Sequence, residues 1–263
     1  MSKVPLVNLG RTGLKVSKLS LGEVDSLALS PERGSRLLAE SFVLGLNYWE
    51  TSDDYDTHPH LASALKLVPR KEVVVSYKTS ARSGKEAIKS LRNFLKELDT
   101  DYVDVLLLHD VRSDSIEDLR GLFAELNDIR ASGMVKATGL STHSVTVVRE
   151  TAQIKEADVM LTICCNASQA VINKYSDHIP LEDGTIKEML NAIRLAHENG
   201  KGIIAMKVLG GRVHGPVPQL VENYQSSIRS IAQLDFVDAM LIGMKNLNEV
   251  KKNVKAILSE KAS

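Results

Sequence analysis

Cysteine is nearly absent from this sequence of 263 residues, which contains only Cys164 and Cys165. The two cysteines are adjacent within an apolar run, so in a strand they would point to opposite faces and could not pair with each other. This count excludes a disulfide framework and a four-cysteine metal site within one chain, and it is typical of a reducing compartment.

Charge of one sign is also lacking, because the 33 basic and 33 acidic residues cancel to a formal net charge of zero. Without a basic block or an acidic tail, nothing predicts binding to nucleic acid or to an anionic membrane. No stretch approaches the roughly 18 apolar residues of a membrane helix, and residues 1–13 hold no apolar signal segment. We therefore expect a soluble, cytoplasmic protein that acts on a small molecule.

The sequence does contain strand-like apolar runs that alternate with amphipathic helical stretches, with no linker between them. We expect a single domain over residues 1–263, opened by a β-hairpin whose turn is Gly10-Arg-Thr-Gly13. The eight predicted strands are Lys18–Gly22, Leu46–Glu50, Glu72–Lys78, Val103–His109, Val135–Ser141, Asp158–Cys164, Gly202–Lys207 and Val237–Ile242.

Most of these runs are near-continuous Val, Ile and Leu, which is typical of parallel strands buried on both faces. Apolar stripes at helical spacing lie between them, as from Ala87 to Leu98, and capping-box patterns at Ser83 and Thr185 mark helix starts. Ser30-Pro31 is a further helix start. Eight such units predict an α/β fold of the (β/α)8 TIM barrel type, with an open doubly wound sheet as the alternative.

Polar residues that end barrel strands are the candidates for chemistry, because active sites of such barrels lie at the carboxyl ends of the strands. Glu50, Lys78 and His109 end three consecutive predicted strands, and Tyr55 follows the first of these on a loop. We expect these four side chains to meet at one mouth of the barrel. Two further residues that end predicted strands are Ser141 and Lys207.

A tyrosine that serves as a proton donor needs a neighbouring cation, because its ordinary pKa is near 10. Lys78, itself held by Glu50, could stabilise the Tyr55 phenolate. Lowering the phenol pKa by about three units would take roughly 4 kcal/mol of differential interaction. His109 could orient a carbonyl oxygen or share proton delivery, and the sequence leaves both roles open.

Two features near Tyr55 are interpreted as structural. Asp53, Asp54 and Asp56 would disfavour a phenolate if they were close to it, and we interpret the run as a solvated loop. His58 and His60 flank a proline, but no further ligand lies at a recognisable spacing, so we predict a surface loop and no metal.

Several segments keep the order and spacing of one known family. They are Leu9-Gly-Arg-Thr-Gly-Leu-Lys-Val-Ser17, Gly45-Leu-Asn-Tyr-Trp-Glu-Thr-Ser-Asp-Asp-Tyr55, Ser76-Tyr-Lys78, Asp101-Tyr-Val-Asp-Val-Leu-Leu-Leu-His109 and Gly139-Leu-Ser141. Together they resemble the aldo-keto reductase family over nearly the whole chain. The resemblance implies NAD(P)H-dependent reduction of an aldehyde or ketone to an alcohol.

Carried over residue by residue, the resemblance implies that Tyr55 is the general acid, Lys78 lowers its pKa and His109 orients the substrate. Glu50 stands where the family has Asp. This exchange lengthens the side chain by one methylene, and an error of about 1 Å in a catalytic site can cost two orders of magnitude in rate.

The resemblance also implies a nicotinamide dinucleotide site. Ser141 would hold the nicotinamide amide, Met206 stands where a stacking Tyr is common, and Lys245 and Asn253 would contact the 2′-phosphate and the adenine. Family habit favours NADP(H). Because Glu249 replaces the usual Arg, NAD(H) stays open. The implied cofactor residues are Ser141, Thr142, Thr162, Met206, Lys207, Leu209, Gly210, Gly243, Lys245 and Asn253.

Two other functions remain open at this point. The departures from the family at Glu50, Thr142 and Met206 are compatible with a non-catalytic dinucleotide-binding or interaction protein on the same barrel. A lyase or isomerase that uses Lys78 or Lys207 as a Schiff-base amine is the third hypothesis. The sequence does not identify a substrate or an oligomeric state.

Overall fold

The computed structural model describes residues 3–22, 29–115, 118–165, 181–209 and 224–259. The chain starts with an antiparallel hairpin of β1 (Leu6–Asn8) and β2 (Lys15–Ser17). Eight parallel strands then close a barrel in chain order: β3 (Leu19–Gly22), β4 (Tyr48–Ser52), β5 (Val74–Thr79), β6 (Val103–Leu108), β7 (Val135–Thr142), β8 (Val159–Ile163), β9 (Gly202–Met206) and β10 (Ala239–Gly243). The predicted α/β barrel with an N-terminal hairpin is confirmed, and the open doubly wound sheet is wrong.

The strand boundaries differ from the predicted ones by one or two residues. β4 both begins and ends two residues later than predicted. Asn47, just before it, links the barrel to the hairpin. Its side-chain oxygen accepts a hydrogen bond from the Ser17 N–H at 2.7 Å, and its amide donates to the Lys15 carbonyl at 3.0 Å. His109 and Lys207 lie one residue past β6 and β9, at the mouth of the barrel.

Helices cover the outside of the barrel, and the predicted N-terminal caps form: the side chains of Ser30, Ser83 and Thr185 accept hydrogen bonds from backbone N–H groups of the first turns. The described helices are α1 (Pro31–Val43), α2 (His58–Leu65), α3 (Gly84–Leu98), α4 (Leu119–Ala131), α5 (Val145–Ala152), α6 (Ile186–Glu198), α7 (Tyr224–Ala232) and α8 (Leu247–Leu258). None of the helices in these ranges is long and apolar enough to span a bilayer.

The prediction of a surface loop at His58 and His60 is wrong, because both residues lie in the first turn of α2. His60 is buried, and its Nε2 contacts the Leu29 carbonyl at 2.9 Å. His58 lies between the Ser52 carbonyl, 2.9 Å from its Nε2, and the Glu97 carboxylate, 2.6 Å from its Nδ1. Both imidazoles thus connect α2 to neighbouring elements.

Side chains fill the barrel, so the barrel is a packed core rather than a pore. Leu107, Leu161 and Ile204 belong to an interior cluster that also includes Leu9 and Val16 from the hairpin. Close packing of β7 on β8 depends on Gly139, where an added Cβ would lie 1.9 Å from the Val159 carbonyl oxygen. A larger residue at this position would displace the strand that ends at the mouth of the barrel.

A buried lysine, Lys201, precedes β9 and is expected to make folding stability depend on alkaline pH. The residue is 1% exposed, and its ammonium donates to the carbonyls of Ile154 and Ala157. Burial, and secondarily the charge of Arg11, lowers the Lys201 pKa to about 8. Between that value and the ordinary lysine pKa of about 10.4, the unfolded chain binds more protons than the folded chain.

The contribution of Lys201 to stability should therefore rise as pH increases from about 8 to 10, by up to about 3 kcal/mol. In urea unfolding monitored by circular dichroism, the stability of the wild type relative to Lys201→Met should rise over this interval. Lys187→Met, on the exposed face of α6, controls for loss of a lysine and should show a constant difference. A constant difference for Lys201→Met as well would contradict the prediction.

Candidate active site

Lys78 is the centre of a group of polar side chains at the carboxyl ends of the barrel strands. Its ammonium donates a hydrogen bond to the Tyr55 hydroxyl at 2.9 Å and forms an ion pair with the Glu50 carboxylate. Lys78 is 5% exposed and Glu50 is 3% exposed. The structure thus joins three of the four residues that the sequence predicted to meet, and the longer Glu50 side chain reaches the lysine.

The register of β4 and β5 explains this convergence. Glu50 pairs with Ser76 and Ser52 pairs with Lys78 in the parallel ladder, so residues on alternate positions of both strands face the barrel interior. Past the strand, a turn closed by the Tyr55 N–H and the Ser52 carbonyl at 3.1 Å brings the tyrosine back over the lysine. The Lys78 ammonium lies 4.3 Å from the centre of the Tyr55 ring.

Asp53 anchors the turn that carries Tyr55. Its carboxylate accepts hydrogen bonds from the Thr79 hydroxyl at 2.8 Å and from the Ser80 N–H at 2.7 Å. Asp53 is exposed, in agreement with the interpretation of the aspartate run as a solvated loop, but its carboxylate also holds the turn in place through these hydrogen bonds. The side chain of Asp54 is 53% exposed, but it lies 3.2 Å from His109 Nδ1.

His109 completes the group on the β6 side. Its Nδ1 lies 2.9 Å from the Ser52 hydroxyl, and its ring meets that of Tyr55 edge to face with centroids 5.7 Å apart. The Arg82 guanidinium donates to the His109 carbonyl at 2.8 Å. Sequence reasoning missed Ser52 and Arg82. Ser52 could have been identified, because it lies two residues after Glu50 and alternate residues of a strand face the same side.

Charges and burial set the protonation of these groups. Burial raises the Tyr55 pKa above its ordinary value; Lys78 opposes this, while Glu50 and Asp54 add to it. Burial alone would lower the Lys78 pKa, but attraction to Glu50 and Tyr55 raises it. Burial and the charge of Lys78 lower the His109 pKa.

At neutral pH the phenol of Tyr55 is therefore protonated, Lys78 is charged and His109 is neutral. Lys78 acts in the direction predicted from the sequence, but its effect is smaller than that of burial, so the expected net lowering of the phenol pKa does not occur in this state. What the site offers is a phenolic proton donor beside a buried ammonium, a pair that can deliver a proton and stabilise the phenolate left behind.

These side chains line a cavity of about 590 Å³, a volume within the usual range for small-molecule sites. Among the described residues of this lining, Met206 is the one apolar side chain that is not aromatic. The lining residues are Asp54, Tyr55, Lys78, Ser80, Arg82, His109, Asp110, Arg112, Asp114, Ser141, His143, Met206 and Lys207. Of the predicted cofactor residues, Ser141, Met206 and Lys207 thus face the same space as the predicted catalytic residues.

Thr142 and Thr162 do not line this cavity. Both are fully buried. The Thr142 hydroxyl donates to the Val111 carbonyl at 2.6 Å, and the Thr162 hydroxyl donates to the Thr142 carbonyl at 3.0 Å. Because neighbouring strand residues point to opposite faces, Thr142 faces away from the mouth that Ser141 lines.

Asn253 on α8 is 5% exposed, and its side-chain carbonyl oxygen has no hydrogen-bond partner in the described structure. A buried acceptor without a partner is costly, and a bound donor would satisfy it. Glu249 caps the N-terminus of the same helix: its carboxylate accepts hydrogen bonds from the Lys245 N–H at 2.8 Å and from the Asn246 side-chain amide at 2.9 Å.

The remaining predicted cofactor residues lie apart from the cavity lining or outside the described residues. Gly243 ends β10, and Leu209 packs against the main hydrophobic core. Gly210 lies outside the described residues.

Comparisons with known proteins agree with this geometry. A model described as aldo/keto reductase family matches residues 19–215. The chain is 25% identical to L-galactose dehydrogenase of Arabidopsis thaliana, over 98% of this chain and 89% of that protein. It is 30% identical to a voltage-gated potassium channel subunit beta of Oryza sativa, over 54% of this chain and 48% of that protein.

The fold is also that of a solved structure from Pseudomonas aeruginosa described as an aldo-keto reductase. The two superpose with a TM-score of 0.78 at 22% sequence identity, covering 98% of this chain and 97% of that one.

Proposed function

We propose that this chain, which belongs to the aldo/keto reductase family, is an NAD(P)H-dependent oxidoreductase that reduces an aldehyde or ketone to an alcohol. The observation that carries the proposal is the buried Glu50–Lys78 pair with the Tyr55 hydroxyl 2.9 Å from the ammonium, at the edge of a polar cavity. We propose Tyr55, Lys78, His109 and Glu50 as the catalytic group.

A nicotinamide dinucleotide bound beside Ser141 and Met206 would supply the hydride for the reduction. Tyr55 donates its phenolic proton to the carbonyl oxygen as negative charge develops there. Lys78 stabilises the resulting phenolate, and Glu50 keeps the ammonium charged and in place. His109 has the Ser52 hydroxyl 2.9 Å and the Asp54 carboxylate 3.2 Å from its Nδ1, and it orients the carbonyl oxygen by a hydrogen bond in the tautomer that carries the proton on Nε2.

Residues of the chain fit the dinucleotide at more than one point. The unpartnered carbonyl oxygen of Asn253 could accept a hydrogen bond from the adenine amine. Ser141 and Met206 in the cavity wall would contact the nicotinamide. Thr142 and Thr162 would contribute only by supporting the strand ends beneath it. The backbones of Leu209, Gly210 and Gly243 are the proposed neighbours of the phosphates.

We propose NADP(H) as the preferred cofactor, with NAD(H) as the alternative. Lys245 would face the 2′-phosphate, and an ammonium favours a phosphate over a hydroxyl. Glu249 already accepts two hydrogen bonds at the start of α8, which disperses its negative charge locally. Fluorescence titration with NADPH and NADH compares the two cofactors directly.

The Glu50→Asp variant tests whether the departure from the family pattern is an adaptation of this site. In the wild type the Glu50 carboxylate already contacts Lys78. Shortening the side chain withdraws the carboxylate by about one carbon–carbon bond, and we expect kcat/KM to fall by about ten- to a hundredfold. Turnover is followed by absorbance of the reduced cofactor with a panel of small aldehydes and ketones.

The same assay decides the proposed function. Binding of a dinucleotide together with turnover supports it, and failure to bind either cofactor would overturn it. Binding without turnover, with activity appearing in Glu50→Asp, would instead indicate a non-catalytic protein. That second candidate is favoured by the departures at Glu50, Thr142 and Met206 and by the similarity to a protein named as a channel subunit.

A further inference from the structure

Lys207 is a cation of the cavity that the proposed mechanism does not use. It follows β9 directly, is partly buried, and lines the same cavity as Tyr55 and Lys78. Its ammonium has no hydrogen bond or ion pair within the described structure. A partly desolvated charge without a partner is unfavourable, so a ligand that neutralises it would be stabilised.

The backbone of Lys207 is also held in an uncommon conformation. Its φ of 58° lies in the left-handed region, which among the described non-glycine residues is shared only with Asp99 and Asp110. Aspartate reaches this region more easily because its short side chain bonds to the local backbone, whereas lysine has no such compensation. Strain of this kind persists where the surrounding structure imposes it, and it clusters at ligand sites.

Among the cations of the described lining, Lys207 alone has neither a hydrogen bond nor an ion pair. Lys78 is paired with Glu50, and Arg112 lies 3.3 Å from Asp110. Asp54 lies 3.2 Å from His109. The Arg82 guanidinium donates to four backbone carbonyls, including that of His109. His143 and Asp114 also line the cavity, and Asp114 is exposed to solvent.

Burial and repulsion by Lys78 lower the Lys207 pKa, while the charges of Asp110 and Glu50 oppose this with smaller effects. An anion bound beside Lys207 would relieve both unfavourable effects. The described part of the lining is mostly polar, and it favours a polar ligand over an aliphatic one.

We infer that Lys207 binds an anionic group of the substrate, so that this protein prefers carbonyl compounds bearing a carboxylate or a phosphate over neutral carbonyls. The inference rests on the proposed reductase function and adds the substrate class. It differs from the expectation that Lys207 contacts the cofactor, and the two roles are separable by experiment.

The test compares kcat/KM for matched pairs: 4-oxobutanoate against butanal for the carboxylate, and glyceraldehyde 3-phosphate against glyceraldehyde for the phosphate. The wild type should prefer an anionic member by about tenfold or more, because hydrogen bonds to charged groups are strong. Lys207→Met should lose that preference because kcat/KM falls for the anionic substrate only. Lys207→Arg should keep most of the preference. Lys96→Met, on the exposed end of α3, removes the same charge and should change nothing.

Dinucleotide affinity is measured in parallel by fluorescence titration. If Lys207→Met weakens dinucleotide binding and lowers activity on both members of a pair equally, Lys207 serves the cofactor phosphates and the inference is overturned. Turnover without any preference for anions in the wild type would overturn it while leaving the reductase function intact.

If no carbonyl is turned over at all, the proposed function fails, and the inference is then decided by calorimetric titration of wild type and Lys207→Met with butanoate and inorganic phosphate. Binding of either anion that is lost in Lys207→Met would support it, and binding of neither anion, or equal binding to both proteins, would refute it.

Discussion

Replacing Tyr55 by phenylalanine is expected to lower kcat for carbonyl reduction by about a thousandfold or more, because proton transfer by a positioned side chain contributes roughly 10² to 10⁴ in rate. The substitution removes one oxygen atom and keeps the ring that packs edge to face on His109. Dinucleotide affinity and the free energy of unfolding should therefore stay close to wild type. Steady-state turnover, fluorescence titration and urea unfolding measure the three quantities.

Tyr102→Phe is the matched control. That tyrosine precedes β6 at the opposite end of the barrel, where its ring lies between the cationic groups of Arg70 and Lys136. Loss of its hydroxyl should leave turnover unchanged. If Tyr55→Phe retained near-wild-type kcat while Tyr102→Phe behaved as expected, Tyr55 would not be the proton donor.

The pH dependence of the wild type tests the same assignment. Since burial raises the Tyr55 pKa above 10.0, the donor stays protonated through the neutral and mildly alkaline range. Reduction should lose activity through this group only above pH 10. If the wild type lost activity between pH 7 and 9 and a variant of another residue abolished that loss, the loss would be assigned to that residue rather than to Tyr55.

Replacing Lys78 by methionine is the second change with a large expected effect, because it acts on catalysis and on stability together. Tyr55 loses the ammonium that stabilises its phenolate, so reduction should fall to nearly the level of Tyr55→Phe. Glu50, 3% exposed, loses its ion-pair partner. Breaking a buried pair from one side leaves an uncompensated charge and typically costs about 3 to 5 kcal/mol of folding free energy.

A double variant separates the two effects. Lys78→Met combined with Glu50→Gln removes the orphaned charge, so urea unfolding should recover most of the lost stability while turnover stays absent. Equal stability of Lys78→Met and wild type at neutral pH would contradict the ion-pair geometry described above. Recovery of turnover in the double variant would contradict the role of the ammonium.

The outcome at individual residues separates what could be predicted locally from what could not. Lys78, Glu50 and Tyr55 converge as predicted, because parallel strands of a barrel deliver their carboxyl ends to one mouth regardless of sequence detail. The resemblance implies that Thr142 and Thr162 contact the cofactor, yet their hydroxyls donate to the backbone carbonyls of Val111 and Thr142. A shift of one residue reverses the face of a strand position, and spacing alone does not resolve that shift at a strand end.

The protonation of Tyr55 is a second example. The sequence identified Lys78 as the neighbouring cation and so predicted a lowered phenol pKa. It could not weigh that charge against the depth of burial or against Asp54, which the turn after β4 brings close. Asp53, an apparently solvated residue, anchors that turn through Thr79 and Ser80, which lie 26 and 27 residues later in the chain.

The sequence by itself determined the eight strands in their order, three of the helix caps and the strand ends that meet at the mouth of the barrel. These depend on apolar periodicity and on hydrogen bonds between near neighbours in the chain. Only the tertiary structure decided which side chains face the cavity, which charges remain unpaired there and how burial shifts their pKa values. Those properties depend on distances between residues far apart in sequence, and such distances exist only once the barrel has closed.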